Sequence, residues 1–290
     1  MNASILILTL VNGSVYALLA AGMSLIFGVG RMVNLAHTAF FVLAGYFMYG
    51  FTRRLDWGAP ESAIVTVVAV TIIGLLVYRF LMDRVRQHEQ AILLITVALA
   101  MAIQEILLVI FGEFYRSSTT LIPGAIEILG TKVQNQYILV IGVSVAVLVF
   151  LSLLLSKTKL GTAIRATAND AEVASLMGIS VPRTLMITMG IATGLAAVAA
   201  VLVGSLWVIY PMIWMQPLSM VLVIVILGGL GSIKGSFIGA YLIALVEVLA
   251  IRFMPQGAFL SMPLMLLVMV IVLVVRPGGL FGILFEEEKL

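Results

Sequence analysis

Four polar side chains interrupt apolar stretches of this 290-residue sequence at places where they could act on a solute: Asn34, His37, Glu105 and Glu247. An ionisable group near the centre of a bilayer costs roughly 2.5–3.5 kcal/mol unless it is paired or hydrated. Such groups therefore either line a substrate path or hydrogen-bond one helix to the next, and the sequence leaves both roles open for the two acids. A proton relay is open to His37, against the plainer role of a hydrogen-bonding group beside a helix break. Covalent catalysis is disfavoured, because no nucleophile and base can be paired. There is no Cys, and the two His (His37 and His88) cannot build a metal cluster between them. The chain also lacks a nucleotide site: GxxxxGK followed by Ser or Thr is absent, and GGLGSIKG at Gly228–Gly235 has neither that spacing nor the hydroxyl. Gly228, Gly229, Gly231 and Gly235 read as a tight turn, with a hinge as the alternative.

A second set of reactive surfaces lies in Lys157–Arg183, KTKLGTAIRATANDAEVASLMGISVPR, the longest polar interruption of the chain. Gly161 and the Ala-rich run Ala163–Ala168 predict one short helix. Asn169 or Asp170 can cap a second, with Glu172 in its first turn. Gly178 suits the left-handed residue that ends such a helix, and Pro182 blocks its continuation. The expectation is a folded loop of two small helices, against a connector that merely happens to be helical.

The elements that must position these residues follow from composition. With 63% hydrophobic and 10% charged residues and a mean hydropathy of +1.23, the chain is a polytopic membrane protein. The expected fold is all-α, one transmembrane bundle over residues 1–290, with no linker to a second domain. Nine apolar stretches are read: 5–27, 36–51, 62–82, 92–111, 137–155, 184–209, 217–227, 237–253 and 263–275. The second and seventh fall short of the about 20 residues a span needs and suit half-helices, giving about eight to nine crossing or half-crossing helices. Between the first two, Gly28–Asn34 forms a polar elbow, and residues 113–136 read as a loop containing Pro123, Gly124 and Gly130. LAGYFM at Leu43–Met48 and IGAYLI at Ile238–Ile243 form a faint internal echo, against chance similarity of apolar sequence. Trp57, Trp207 and Trp214 read as interfacial anchors.

Basic residues set the orientation. If all nine stretches cross and Lys157–Arg183 faces the cytoplasm, eleven of the 16 Lys and Arg lie inside, Lys289 included, and five outside: Arg53, Arg54, Arg116, Lys132 and Arg252. The amino terminus is then outside and the carboxyl terminus, with its acidic run Glu286–Glu288, inside. Arg53 and Arg54 argue against the path of the second stretch. The pI near 9.3 reflects this topology and not nucleic-acid binding.

Three segments, NGSVYALLAAGMSLIFGVGRMVNLAH (Asn12–His37), GTAIRATANDAEVASLMGIS (Gly161–Ser180) and VLVIVILGGLGSIKGSFIGAYLIALVE (Val221–Glu247), resemble the permease subunits of bacterial branched-chain amino-acid ABC importers. The chain is similar to the shorter of the two paired permeases. One departure stands out: after Asn34–His37 the family continues with Gly and an acid, where this chain has Thr38 and Ala39. The resemblance implies an inner-membrane, multi-pass subunit that moves branched-chain or related amino acids inward. Its partners would be a second homologous permease, two ATPase subunits holding ATP and Mg, an extracytoplasmic binding protein and membrane lipid. It also implies that Gly161, Arg165, Ala166, Asp170, Glu172, Ala174, Gly178 and Ile179 form the coupling surface to the ATPase, within a cytoplasmic coupling loop at about 156–183. On that surface Leu176, Met177 and Ile179 supply apolar anchors, oriented by Arg165 and Glu172. Arg165 has the alternative of neutralising lipid headgroups. Related permeases carry urea, amides or other small solutes, and a carrier driven by an ion gradient through Glu105, Glu247 and His37 is the competing class.

Overall fold

The computed structural model of the chain describes residues 2–86, 88–128 and 131–281. Gly130, the acidic run 286–288 and Lys289 lie outside the described residues. Eight helices among the described residues are long and apolar enough to cross a membrane. The helices are α1 (Asn2–Gly30), α2 (His37–Tyr49), α3 (Ala59–Val77), α4 (Glu89–Phe111), α5 (Asn135–Lys157), α6 (Lys159–Asn169), α7 (Ala171–Leu176), α8 (Val181–Val203), α9 (Met215–Gly228), α10 (Ile233–Phe253) and α11 (Gly257–Val275). π-helical turns extend α2 to Arg54 and α3 to Met82, and a 3-10 turn, Pro211–Trp214, leads into α9.

Burial separates core from periphery. The most apolar windows of α1 and α8 are 67% and 72% buried, whereas that of α11 is 11% buried. Lipid is as apolar as a Leu side chain, so helices associate through close packing of small residues. Ala17, Ala20 and Ala21 of α1 and Ala192, Ala196, Ala197 and Ala199 of α8 are accordingly buried. The two helices run antiparallel: a Cβ on Gly30 would crowd Leu185, and one on Gly22 would crowd the Ala192 carbonyl. Against α3, a Cβ on Gly190 would meet Leu75 and one on Gly74 would meet Thr193, so each helix fills the space the other leaves.

The second and seventh stretches are α-helices of 13 and 14 residues, which the π-helical turn to Arg54 and the 3-10 turn from Pro211 lengthen, so that α9 with its leading turn, Pro211–Gly228, is one of the eight span-length helices. Both start in the interior. After α1 the chain turns at Arg31, whose φ is 50°, and residues 31–36 lead back into the bundle. The Asn34 side chain accepts the Ala36 amide at 3.1 Å and closes the elbow. His37 then begins α2 against the Leu19 carbonyl, in the middle of α1. Likewise residues 204–210 follow α8, and the Trp214 carbonyl at the start of α9 accepts from Thr38 Oγ1 at 2.8 Å. Non-helical backbone at this depth must be covered by protein, and Met32, Asn34, Ala36 and Ile209 are buried. A long helix, an irregular return and a shorter helix that starts in the interior thus occur twice, in opposite directions. This pairs α2 with α9, not with α10 as LAGYFM and IGAYLI suggested, because the Gly-rich break before α10 is a turn at one end of the bundle.

Two ends result. At one, Gly28 packs against Gly231, and the chain after α11 is fixed by the Leu280 and Phe281 amides donating to the Leu227 and Gly228 carbonyls at 2.8 and 3.0 Å. At the other, Arg116 and Ile209 exchange backbone hydrogen bonds of 2.8 Å. There two strands, β1 (Ala125–Ile128) and β2 (Thr131–Gln134), pair antiparallel where a loop was expected. Glu127 opposite Lys132 and Ile126 opposite Val133 favour the pairing. Arg54 lies at this end with its guanidinium on the Ile110 carbonyl (3.2 Å) and over the Phe111 ring, neutralising the negative end of α4. Boundaries shift too. α8 begins at Val181 and ends at Val203, short of Ile209, and it takes in Arg183; Pro182 falls in its first turn, where no helical amide is required.

Candidate functional site

The polar stretch folds as a capped platform at the end where Gly28 meets Gly231. Thr158 Oγ1 accepts the Gly161 amide (3.0 Å) and starts α6. Any side chain on Gly161 would collide with the last carbonyls of α5, so Gly161 sets the sharp α5–α6 turn and is itself buried. Asp170 Oδ1 accepts the amides of Glu172 (2.8 Å) and Val173 (3.0 Å) and caps α7. Gly178, at φ 85°, ends it: the Ile179 amide donates to Ala174 and that of Gly178 to Ser175, both at 3.0 Å.

The residues singled out here divide by exposure. Gly161 and Ala174 are buried, and Ala166 and Ile179 are half-buried, so these four build the platform. Arg165, Asp170, Glu172 and Gly178 are exposed. Leu176 and Met177 are 81% and 79% exposed, apolar groups on a polar end of the molecule. Arg165 bonds to Thr162, its own neighbour on α6 (3.4 Å). Glu172 lines a cavity of about 350 Å³ that reaches Arg86 and the elbow at Met32.

The intramembrane polar residues do not form one cluster. His37 Nε2 donates to the Leu19 carbonyl at 3.0 Å, in a slot that only Gly22 leaves open. Asn34 is fully buried against Met189. Glu105 is exposed on α4, bonded to Gln104 (3.2 Å), whose carbonyl oxygen accepts from the Trp214 indole (2.7 Å). Glu247, by contrast, is 8% exposed, and its Oε2 accepts from Tyr16 (2.8 Å) and Asn12 (3.2 Å). These three line a cavity of about 360 Å³ whose other walls are Trp207, the first turn of α9 and Ile251. Trp207 lies 5.9 Å from Tyr16 and 6.2 Å from Phe41, ring centre to ring centre. It is therefore a wall of this cavity. Trp214 is buried at the start of α9, and only Trp57 is exposed.

The sequence alone did not single out Asn12, Tyr16 and Gln216. Their one signal was a polar atom in an apolar run, and Glu247 lies more than 200 positions from Asn12 and Tyr16. The glycines at 228–235 form a turn: Gly229 and Gly231 take φ of 100° and 81°, while Gly228 and Gly235 press together with no room for a Cβ. Among the described residues no three of His, Asp and Glu are grouped to hold a metal ion.

A family model described as branched-chain amino acid transport system, permease component, matches residues 5–275. The high-affinity branched-chain amino acid transport system permease protein BraD of Pseudomonas aeruginosa is 28% identical, over 93% of this chain and 92% of its own length. The LivH permease proteins of the corresponding systems of Salmonella typhimurium and Escherichia coli are each 27% identical over the same shares. No solved structure matches the chain.

Proposed function

Because the chain belongs to the family of branched-chain amino acid transport permease components, we infer that it is the membrane subunit of an ATP-driven importer that moves branched-chain or closely related amino acids inward. The chain is a transport subunit and not an enzyme. Residues 1–290 act as one permease domain in the inner membrane. A second homologous permease pairs with it, two ATPase subunits bind the ATP and Mg, and an extracytoplasmic protein delivers the amino acid.

The observation that carries this reading is the α6–α7 platform. Its two helices are held by Thr158, Asp170 and Gly178, and its tip exposes Leu176 and Met177. Exposed apolar side chains on a rigid polar surface favour a protein partner over water. The platform faces the cytoplasm and seats in the ATPase, with Leu176 and Met177 as anchors, Ile179 beneath them, and Arg165 and Glu172 at the rim. Gly161, Ala166 and Ala174 hold its shape. His37, Glu105 and Glu247 make separate hydrogen bonds and none of them bonds to another, which gives a proton-relay carrier no support.

The test is reconstitution with the partner subunits. Leucine uptake should require ATP and be absent with an ion gradient alone. The double substitution Leu176→Asp and Met177→Asp should abolish recovery of the ATPase with the permease. Uptake by the lone chain on an ion gradient would overturn the reading.

A further inference from the structure

We propose that the cavity between α1, α9 and α10 is a binding site for a zwitterionic aliphatic amino acid, with the Glu247 carboxylate receiving the ammonium group. The proposal rests on the permease reading above and extends it to a place and a chemistry. Glu247 is a buried acid within an apolar helix, and no basic side chain among the described residues stands within ion-pair distance of it. Buried charges are ordinarily paired. Both donors it does have, Tyr16 and Asn12, converge on Oε2, and the residue borders open space. The missing counter-charge is thus one that a ligand can bring.

The rest of the cavity suits the remainder of such a ligand. The rings of Tyr16 and Trp207 attract a cation at close range. Met220 and Ile251 provide an apolar wall for a branched side chain. The first turn of α9 lines this cavity together with Glu247, and there Gln216 offers an amide to a carboxylate. The volume of about 360 Å³ falls in the roughly 300–1,000 Å³ range of small-molecule sites. An adjoining cavity of about 570 Å³ shares Asn12, Trp207 and Ile251 and carries Arg252 on its wall.

The experiment uses the complete transporter in nanodiscs without its binding protein. L-leucine, 3-methylbutylamine and 4-methylpentanoate are titrated while tryptophan emission is followed. Leucine and the amine should change the emission and the acid should not, and Trp207→Phe should remove the signal. Glu247→Gln should weaken leucine binding about tenfold or more, the loss expected for a charge-assisted contact, and Glu247→Asp should restore part of it. Ile251→Trp, at the exposed rim, should weaken binding without touching the buried acid. Unchanged leucine Kd in both Glu247→Gln and Ile251→Trp would overturn the proposal, as would equal competition by 4-methylpentanoate. Failure of the wild-type complex, reconstituted in vesicles together with its binding protein, to take up leucine with ATP would count against the permease reading alone, because the binding titration in nanodiscs judges the cavity independently.

Discussion

His37 shows how little a residue's chemistry says about its use. Its imidazole is wedged between α1 and α8, bonded to the Leu19 carbonyl in the gap left by Gly22. Replacing it with Gln should destabilise the purified protein by roughly 1–3 kcal/mol, as a buried carbonyl loses its donor geometry, and a lowered thermal unfolding midpoint would report it. The pH profile of ATP-driven uptake should keep its shape, which a relay could not do. Gly235 and Gly142 make a matched pair at the same scale. A Cβ at Gly235 would run into the Gly228 backbone, whereas one at Gly142 would meet nothing within 4 Å. Gly235→Ala should therefore destabilise by about 1–3 kcal/mol, and Gly142→Ala should be neutral or stabilising by up to about 1 kcal/mol; comparative unfolding of the two variants checks both. Of the polar residues that looked reactive in the sequence, Glu247 has the setting of a site, while Glu105 lies on the exposed face of α4. Nothing in the run around Glu105 or Glu247 distinguishes them, because the difference is made by Asn12 and Tyr16 across the bundle.

At the scale of elements, what is local was legible and what is tertiary was not. Asp170 as cap, Gly178 as terminator and the brevity of α2 and α9 follow from a few neighbouring residues. The pairing of β1 with β2 was hidden by a loop-like composition, and the π-helical ends of α2 and α3 depend on packing that the sequence does not display. The internal echo misled because IGAYLI resembles LAGYFM in small residues alone. Capping gives a test confined to one element. Asp170→Ala removes the acceptor for two amides, a loss worth about 1 kcal/mol in typical helices, and should reduce ATP-coupled uptake. Asp170→Asn keeps a capping oxygen and should retain most of it. If the two variants fall together, the carboxylate charge matters and the cap does not.

For the whole molecule, α2 and α9, which start in the interior, and the irregular returns before them give the bundle a pseudo-symmetric centre, with the platform at one end and the β1–β2 pair at the other. Since the chain has no Cys, single cysteines introduced at positions 170 and 127 report topology without background. Position 170 should react with an impermeant maleimide only from the cytoplasmic side, and position 127 only from the opposite side. Labelling of both from one side would dismantle the orientation, and with it the docking role of α7.

The backbone bonds from Leu280 and Phe281 to Leu227 and Gly228, beside the packing of Gly28 on Gly231, knot together three regions remote in sequence. A push delivered near that knot is expected to reach α9, α10 and the segment after α11 through those contacts as well as the foot of α1. Two of these helices, α1 and α10, carry Asn12, Tyr16 and Glu247 at the cavity beneath Trp207.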